Sequence, residues 1–274
     1  MSATSPVLAA YDGHALGPLR TGELLARLLD LPLVLVTAYA YEPASLSARA
    51  LPPDINTRRE ERAEEIARGA ARLLDPAVRA DVRIVPAAGV AGALVDLATE
   101  TDATVVVVGA DLRGDTAGGV VRHAPCPVVV SPADALLVAP QPSLVGVAYD
   151  GSPASRFALT AAAHLAELAG APLRILTVGD DFHDPAGAPP LPEGLTVERR
   201  VLHGDAGVEL RRACEDLDLI ACGSHARGRI ATTLLGSVSS RLVDDAICPV
   251  LVVAPTIRRR ADEPLRLSTG AAAR

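Results

Sequence analysis

Leu219-Ile220-Ala221-Cys222-Gly223-Ser224-His225 opens a stretch that runs through Gly236-Ser237-Val238-Ser239-Ser240 to Cys248-Pro249-Val250-Leu251-Val252-Val253. It reads as an apolar strand, a glycine-punctuated loop, a helix and a second apolar strand. Continuous Val/Leu/Ile runs of this kind suit parallel strands covered on both faces. A strand that delivers glycine and hydroxyl residues onto a helix N-terminus aims backbone N–H groups at a phosphate. Glycines after a strand are also ordinary turn residues, taking φ > 0 at low steric cost. On spacing alone the turn is the commoner of the two readings.

Working outward, the same unit is written twice. Val7-Leu8-Ala9-Ala10-Tyr11-Asp12-Gly13 matches Val145-Gly146-Val147-Ala148-Tyr149-Asp150-Gly151 at a displacement of 138. Leu31-Pro32-Leu33 matches Ala171-Pro172-Leu173 at 140, Asp102 to Gly109 matches Asp216 to Gly223 at 114, and Cys126-Pro127-Val128 matches Cys248-Pro249-Val250 at 122. Self-similarity of this kind marks an internal duplication. The fall from 140 to 114 means that the second copy lacks 26 residues of the first. In the first copy that span holds Thr57 to Leu74, read as a helix with a Thr57/Glu60 capping box. Its apolar stripe is Ala63, Ile66, Ala67, Ala70, Leu73 and Leu74. The second copy has only Asp181–Thr196 there, rich in Pro and Gly, which predicts a loop. The rise from 114 to 122 gives the second copy eight additional residues after its strand-ending glycine. A phosphate cradle therefore has room in the second half alone.

Each copy alternates strands with helices, among them Gly13–Asp30 and Ser152–Gly170. The second of these packs Phe157, Leu159, Ala162, Ala163, Leu165, Ala166 and Leu168 inward. The expected fold class is α/β, two tandem doubly wound domains with helices on both faces of each sheet. The expected boundaries are 1–138 for a first domain without a phosphate loop, 143–256 for a second domain with one, and 257–274 for a disordered tail.

Composition narrows the function. A chain of 274 residues is long enough for two cores, and 49% hydrophobic with 2% aromatic content means that Val, Leu, Ala and Ile fill them. A formal net charge of −7 argues against nonspecific nucleic-acid binding, which depends on neutralising phosphates. Every basic residue other than histidine is Arg, so Walker-type and Schiff-base lysines are excluded. Cys126, Cys214, Cys222 and Cys248 form no C-x-x-C pair or zinc spacing and read as small buried hydrophobes. No signal-like N-terminus or membrane-length apolar run is present, so a soluble, cytoplasmic setting is expected, without membrane contact.

In an open α/β sheet, ligands bind beyond the carboxyl ends of strands where the winding reverses. If the first and fourth strands of a copy are neighbours there, Asp150 faces Gly223 across the crevice. Asp150 then accepts hydrogen bonds from an adenine edge or a ribose hydroxyl. Gly223, Gly236 and the N–H groups of Ser237 and Val238 approach phosphate oxygens, with the Ser237 hydroxyl capping the next helix. Arg227 and Arg229 add cationic contacts.

The paired Asp-Gly strands, the closing Cys-Pro-Val strands and the Gly-Ser-His loop resemble the universal stress protein family, in a tandem two-domain form, from about Val7 to Ala254. The resemblance implies five-stranded parallel sheets ordered 3-2-1-4-5, paired through their last strands. It also implies ATP held by Asp150, Val178, Gly223, Gly236, Ser237 and Val238, usually with a divalent metal such as Mg2+ at the phosphates. The full candidate set adds Ala148, Tyr149, Ser224, His225, Arg227, Gly228 and Ser239. One departure stands out: the second glycine of the family's Gly-x2-Gly-x9-Gly-Ser signature falls at Ala226, and Gly228 lies two residues on. If position 226 needs φ > 0, its Cβ costs about 1 kcal/mol or more. The expected function is that of an ATP-binding, non-catalytic stress-response regulator; the alternative is a nucleotide-independent interaction or dimerisation module of the same fold. A weak ATPase or autokinase modifying Ser237 or Ser239 ranks last, since no general base or arginine finger is evident. The two halves are expected to pair within the chain, with monomer and homodimer both open.

Overall fold

The computed structural model describes residues 5–42, 54–110, 116–135, 141–180, 188–226, 233–234, 236–245 and 247–254. The first half runs β1 (Val7–Ala10), α1 (Leu16–Leu29), β2 (Leu33–Ala40), α2 (Ile55–Leu73), β3 (Ala80–Ala87), α3 (Val90–Glu100), β4 (Val105–Gly109), α4 (Thr116–His123) and β5 (Val128–Ser131). The second half follows as β6 (Val145–Ala148), α5 (Pro153–Ala169), β7 (Leu173–Val178), β8 (Val197–Leu202), α6 (Ala206–Ala213), β9 (Leu219–Gly223), the short β10 (His225–Ala226) and β11 (Thr233–Leu234), α7 (Ser237–Asp245) and β12 (Val250–Val253). The tail expected after Thr256 lies outside the described residues.

The strands build one ten-stranded sheet in the order β3-β2-β1-β4-β5-β12-β9-β6-β7-β8. Each half contributes five parallel strands in its own order 3-2-1-4-5, as the sequence resemblance implied. The halves join where β5 meets β12 antiparallel, Val128 opposite Val252, Val129 opposite Leu251 and Val130 opposite Val250. Val128 and Val250 are duplicated positions, so the seam is self-complementary about Val129 and Leu251, as in an isologous dimer interface. All six residues are buried. A fully buried Val or Leu contributes about 1.5–3 kcal/mol, so the seam is continuous core rather than a loose domain contact.

Alternate residues along each strand feed two cores. Val7, Ala9, Leu33, Leu35, Val145, Val147, Leu173 and Ile175 pack with α1, α2 and α5 on one face. Leu8, Val34, Val36, Val106, Ile220 and Val250 pack with α3, α4, α6 and α7 on the other. The inward set expected for α5 is buried or half-buried here, and all four cysteines are free and buried.

Local chemistry fixes the helix ends. Ser152 caps α5 by accepting the Ser155 N–H, with Pro153 opening the helix, and Asp205 caps α6 through the Val208 N–H. Two sequence expectations change. The capping position of α2 falls on Asp54, whose carboxylate pairs with Arg58, so Thr57 lies inside the first turn and forms no capping box. Leu73 is exposed at the end of the helix. The first helix begins at Leu16, not Gly13, because Asp12 Oδ1 accepts the His14 and Ala15 N–H groups and holds that segment as a turn. In the second half, the described residues 188–196 form no helix, as the Pro/Gly composition predicts.

Candidate functional site

The register brings the carboxyl ends of β6, β7 and β9 together. β6 lies between β7 and β9, with Ala148 opposite Leu176 and Val147 opposite Ala221. α5 covers one face and α6 the other. The winding therefore reverses between β6 and β9, the position where open α/β sheets bind ligands. Continuing the register by two residues puts Asp150 level with Val178 and Tyr149 level with Gly223.

Asp150 is exposed just past β6, where Gly151 takes φ +74° and the Asp150 Oδ1 accepts the Ser152 N–H at 3.0 Å. Ala148 and Val178 are half-buried at their strand ends. Tyr149 is 4% exposed, and its hydroxyl is buried without a hydrogen-bond partner among the described residues. The Thr177 hydroxyl, on the adjoining strand, is buried in the same condition. An unpaired buried hydroxyl costs about 1–3 kcal/mol, so each is a locally unfavourable group close behind the strand ends. Thr177 was missed from sequence. Its signal was available, because Thr37 stands 140 positions earlier and its hydroxyl is also buried without a described partner.

Gly223 has a packing reason to be glycine. An added Cβ would stand 2.4 Å from the Ala154 carbonyl carbon, where the first turn of α5 presses on β9. Ser224 is fully buried; its N–H donates to the Val253 carbonyl at 2.9 Å and its hydroxyl donates to the same oxygen at 3.4 Å. The Ser239 hydroxyl donates to the Gly223 carbonyl at 3.0 Å, tying α7 to the end of β9. Both hydroxyls thus bond to strand-end carbonyls, of β12 and of β9.

The eight inserted residues fold in part as an antiparallel ribbon, with His225 opposite Leu234 and Ala226 opposite Thr233. β11 lies beside α4 of the first half. Ala226 is extended within β10 and is not among the described residues with positive φ, so the backbone strain anticipated there does not arise. α7 begins at Ser237, which puts Gly236 rather than Ser237 in the capping position. The Ser240 N–H reaches the Gly236 carbonyl at 2.9 Å, leaving the first-turn amides of Ser237, Val238 and Ser239 as the N-terminal donors. Arg227, Gly228 and Arg229 lie outside the described residues.

No group of three or more metal-ligating side chains occurs among the described residues, and no described helix is long and apolar enough to cross a membrane. Burial pushes the Cys126 and Cys222 thiols up to about 12, so both stay neutral and unreactive at physiological pH.

A model of the universal stress protein family matches residues 5–132, 144–196 and 191–254. A universal stress protein of Mycobacterium tuberculosis is 29% identical over 266 residues, covering 83% of this chain and 88% of its own. One from Mycolicibacterium smegmatis is 33% identical over 196 residues, 61% of this chain and 66% of its own. The crystal structure of a universal stress protein from Archaeoglobus fulgidus superposes with a TM-score of 0.68 at 20% identity, over 91% of this chain and 96% of that one, a likeness of fold. With the doubled sheet and three family matches spanning both halves, the chain belongs to the universal stress protein family.

Proposed function

We propose that this protein is a non-catalytic, adenine-nucleotide-binding stress-response regulator whose second half, residues 143–256, holds ATP. The observation that carries the reading is the convergence of Asp150, Val178, Gly223 and the α7 N-terminus on one end of the sheet, where the winding reverses. Asp150 takes the ribose or an adenine N–H, the Val178 end of β7 flanks the base, and the amides of Ser237 and Val238 meet the phosphates. ATP brings its divalent cation, Mg2+, on its phosphates. The first half, residues 1–138, lacks the inserted loop and serves as the pairing partner.

The position of β11 beside α4 gives occupancy a route to the first half, because the ribbon and the α7 N-terminus belong to the same insert. The same contact favours a second reading, in which the insert chiefly ties the halves and the protein works as an interaction module. Mass spectrometry of the gently purified, untreated protein separates them. The nucleotide reading expects a bound adenine nucleotide that disappears in Gly236→Val. An empty protein that also gives no calorimetric signal at millimolar ATP supports the interaction module instead.

A further inference from the structure

The sheet ends differently at its two edges. At β8 the charges are taken up in ion pairs, Glu198 with Arg174 at 2.8 Å and Arg200 with Asp216 at 4.0 Å. At β3 a cavity of about 690 Å³ opens between the strand and α3, lined by Arg83 to Ala87 on one side and by Gly92, Asp96 and Glu100 on the other. Its residues belong to β3, α3 and the turn joining them, so it lies apart from the ends of β1 and β2. An open strand edge beside a helix is a geometry that takes up a peptide as an added strand.

The hydrogen bonds say where. The Leu33 N–H donates to the Arg79 carbonyl at 2.8 Å and the Tyr41 N–H to the Ala87 carbonyl at 2.9 Å. Between them the register of β2 on β3 is unbroken. In a parallel ladder this turns the N–H and C=O of Asp81, Arg83, Val85 and Ala87 towards β2, and those of Val82, Ile84 and Pro86 outwards. Proline has no N–H, and the Val82 N–H is taken by Asp81 Oδ1 at 2.9 Å. Among the described residues, Ile84 is thus the outward residue with both its N–H and its C=O open. Asp81 and Pro86 blunt the edge on either side of it, so the strand admits a short segment rather than another sheet.

Charge and space say what. Asp96 and Glu100 are exposed, one turn apart on α3, and pair with no described residue, whereas Arg83 is held by Asp81 at 3.5 Å. Gly92 is exposed, and a Cβ there would meet nothing within 4 Å, so the helix wall is open at that point. Val85, the neighbour of Ile84, belongs to the face that α3 covers. Side chains alternate along a strand, so a peptide residue paired with Ile84 sends its two neighbours' side chains to the α3 side, where the free carboxylates stand. The net charge of −7 draws a cationic partner to the chain.

We propose that this edge of the first half is a docking site for an extended peptide with arginine or lysine at alternate positions, the residue between them pairing with Ile84 and the cations meeting Asp96 and Glu100. The site does not depend on nucleotide binding by the second half.

The test titrates the full chain calorimetrically with the blocked pentapeptide acetyl-Val-Arg-Val-Arg-Val-amide, and with the same peptide carrying glutamate for arginine. One site per chain is expected for the arginine peptide and none for the glutamate peptide. Asp96→Asn with Glu100→Gln should weaken binding about fivefold, the loss of two exposed ion pairs. Methylating the peptide's central amide removes the donor to the Ile84 carbonyl and should also cost about fivefold. Gly92→Leu should abolish binding without lowering the melting temperature, because the side chain enters open space. Absence of binding by the arginine peptide at millimolar concentration overturns the proposal, as does binding that Gly92→Leu or amide methylation leaves unchanged. Sedimentation of the chain alone covers the other occupant: self-association that Gly92→Leu abolishes would assign the groove to a second copy and overturn the proposal too.

Discussion

The two halves share a sheet order but are roofed differently, and one buried carboxylate explains much of the difference. Glu23 in α1 is 2% exposed; its Oε1 accepts the Asp75 N–H at 2.6 Å and its Oε2 pairs with Arg20 at 2.7 Å. Arg20 also donates to the Leu73 carbonyl at 3.1 Å. This network pins the end of α2 to α1. The duplicated positions, 140 residues on, are Ala163 and Thr160, so among the described residues the second half has neither the helix nor its anchor. Two sequence changes and a deletion thus form one structural event. Copying the second half's residue into the first should break the distinction: Glu23→Ala is expected to lower unfolding free energy by about 1–2 kcal/mol, since it removes the acceptor of the half-buried Asp75 N–H and the partner of the half-exposed Arg20. Urea denaturation measures the loss, and limited proteolysis should cut first within or beside α2.

Strand-ending glycines sharpen the comparison at a smaller scale. At Gly223 a Cβ meets the Ala154 backbone at 2.4 Å, whereas at Gly109 it meets only Pro18 Cγ at 3.3 Å. Gly223→Ala should therefore destabilise by about 2 kcal/mol, and Gly109→Ala by less than about 1 kcal/mol. Equal losses in parallel denaturation curves would show that the two glycines do the same job.

The smallest effect at neutral pH falls on both halves alike. Cys126 and Cys222, one in each half, are raised by burial from 9.0 to about 12. The folded chain holds these protons longer than the unfolded chain, so their contribution is full below pH 9 and is lost as pH rises from 9 towards 12. Tyr11, raised by burial and by Asp12, adds to the same trend. With no lysine in the sequence, the alkaline profile reports cysteines and tyrosines, with Cys248 and Tyr39 raised in the same direction. Denaturation midpoints measured from pH 8 to 12 should fall above pH 9, and Cys126→Ala with Cys222→Ala should flatten the fall.

Much of this architecture was legible in residue order because its cause is local or repeated. Val/Leu/Ile runs such as Val105–Val108 identify strands buried on both faces, and the matched Val7–Gly13 and Val145–Gly151 segments reveal two copies. Strand order came through family resemblance. Boundaries were harder where polar residues compete: Asp54 displaced Thr57 as the cap of α2, and the Asp12 turn delayed α1 to Leu16. The ribbon inside the inserted loop was not legible, because glycine and serine spacing carries no information about pairing across the insert, and pairing made β10 and β11.

Calorimetric titration of the intact chain with MgATP tests the asymmetry between the halves most directly. The account predicts one ATP per chain, with affinity abolished by Gly236→Val and unchanged by Thr37→Val. Two equivalent ATP sites, or one that survives Gly236→Val and is lost with Thr37→Val, would contradict it.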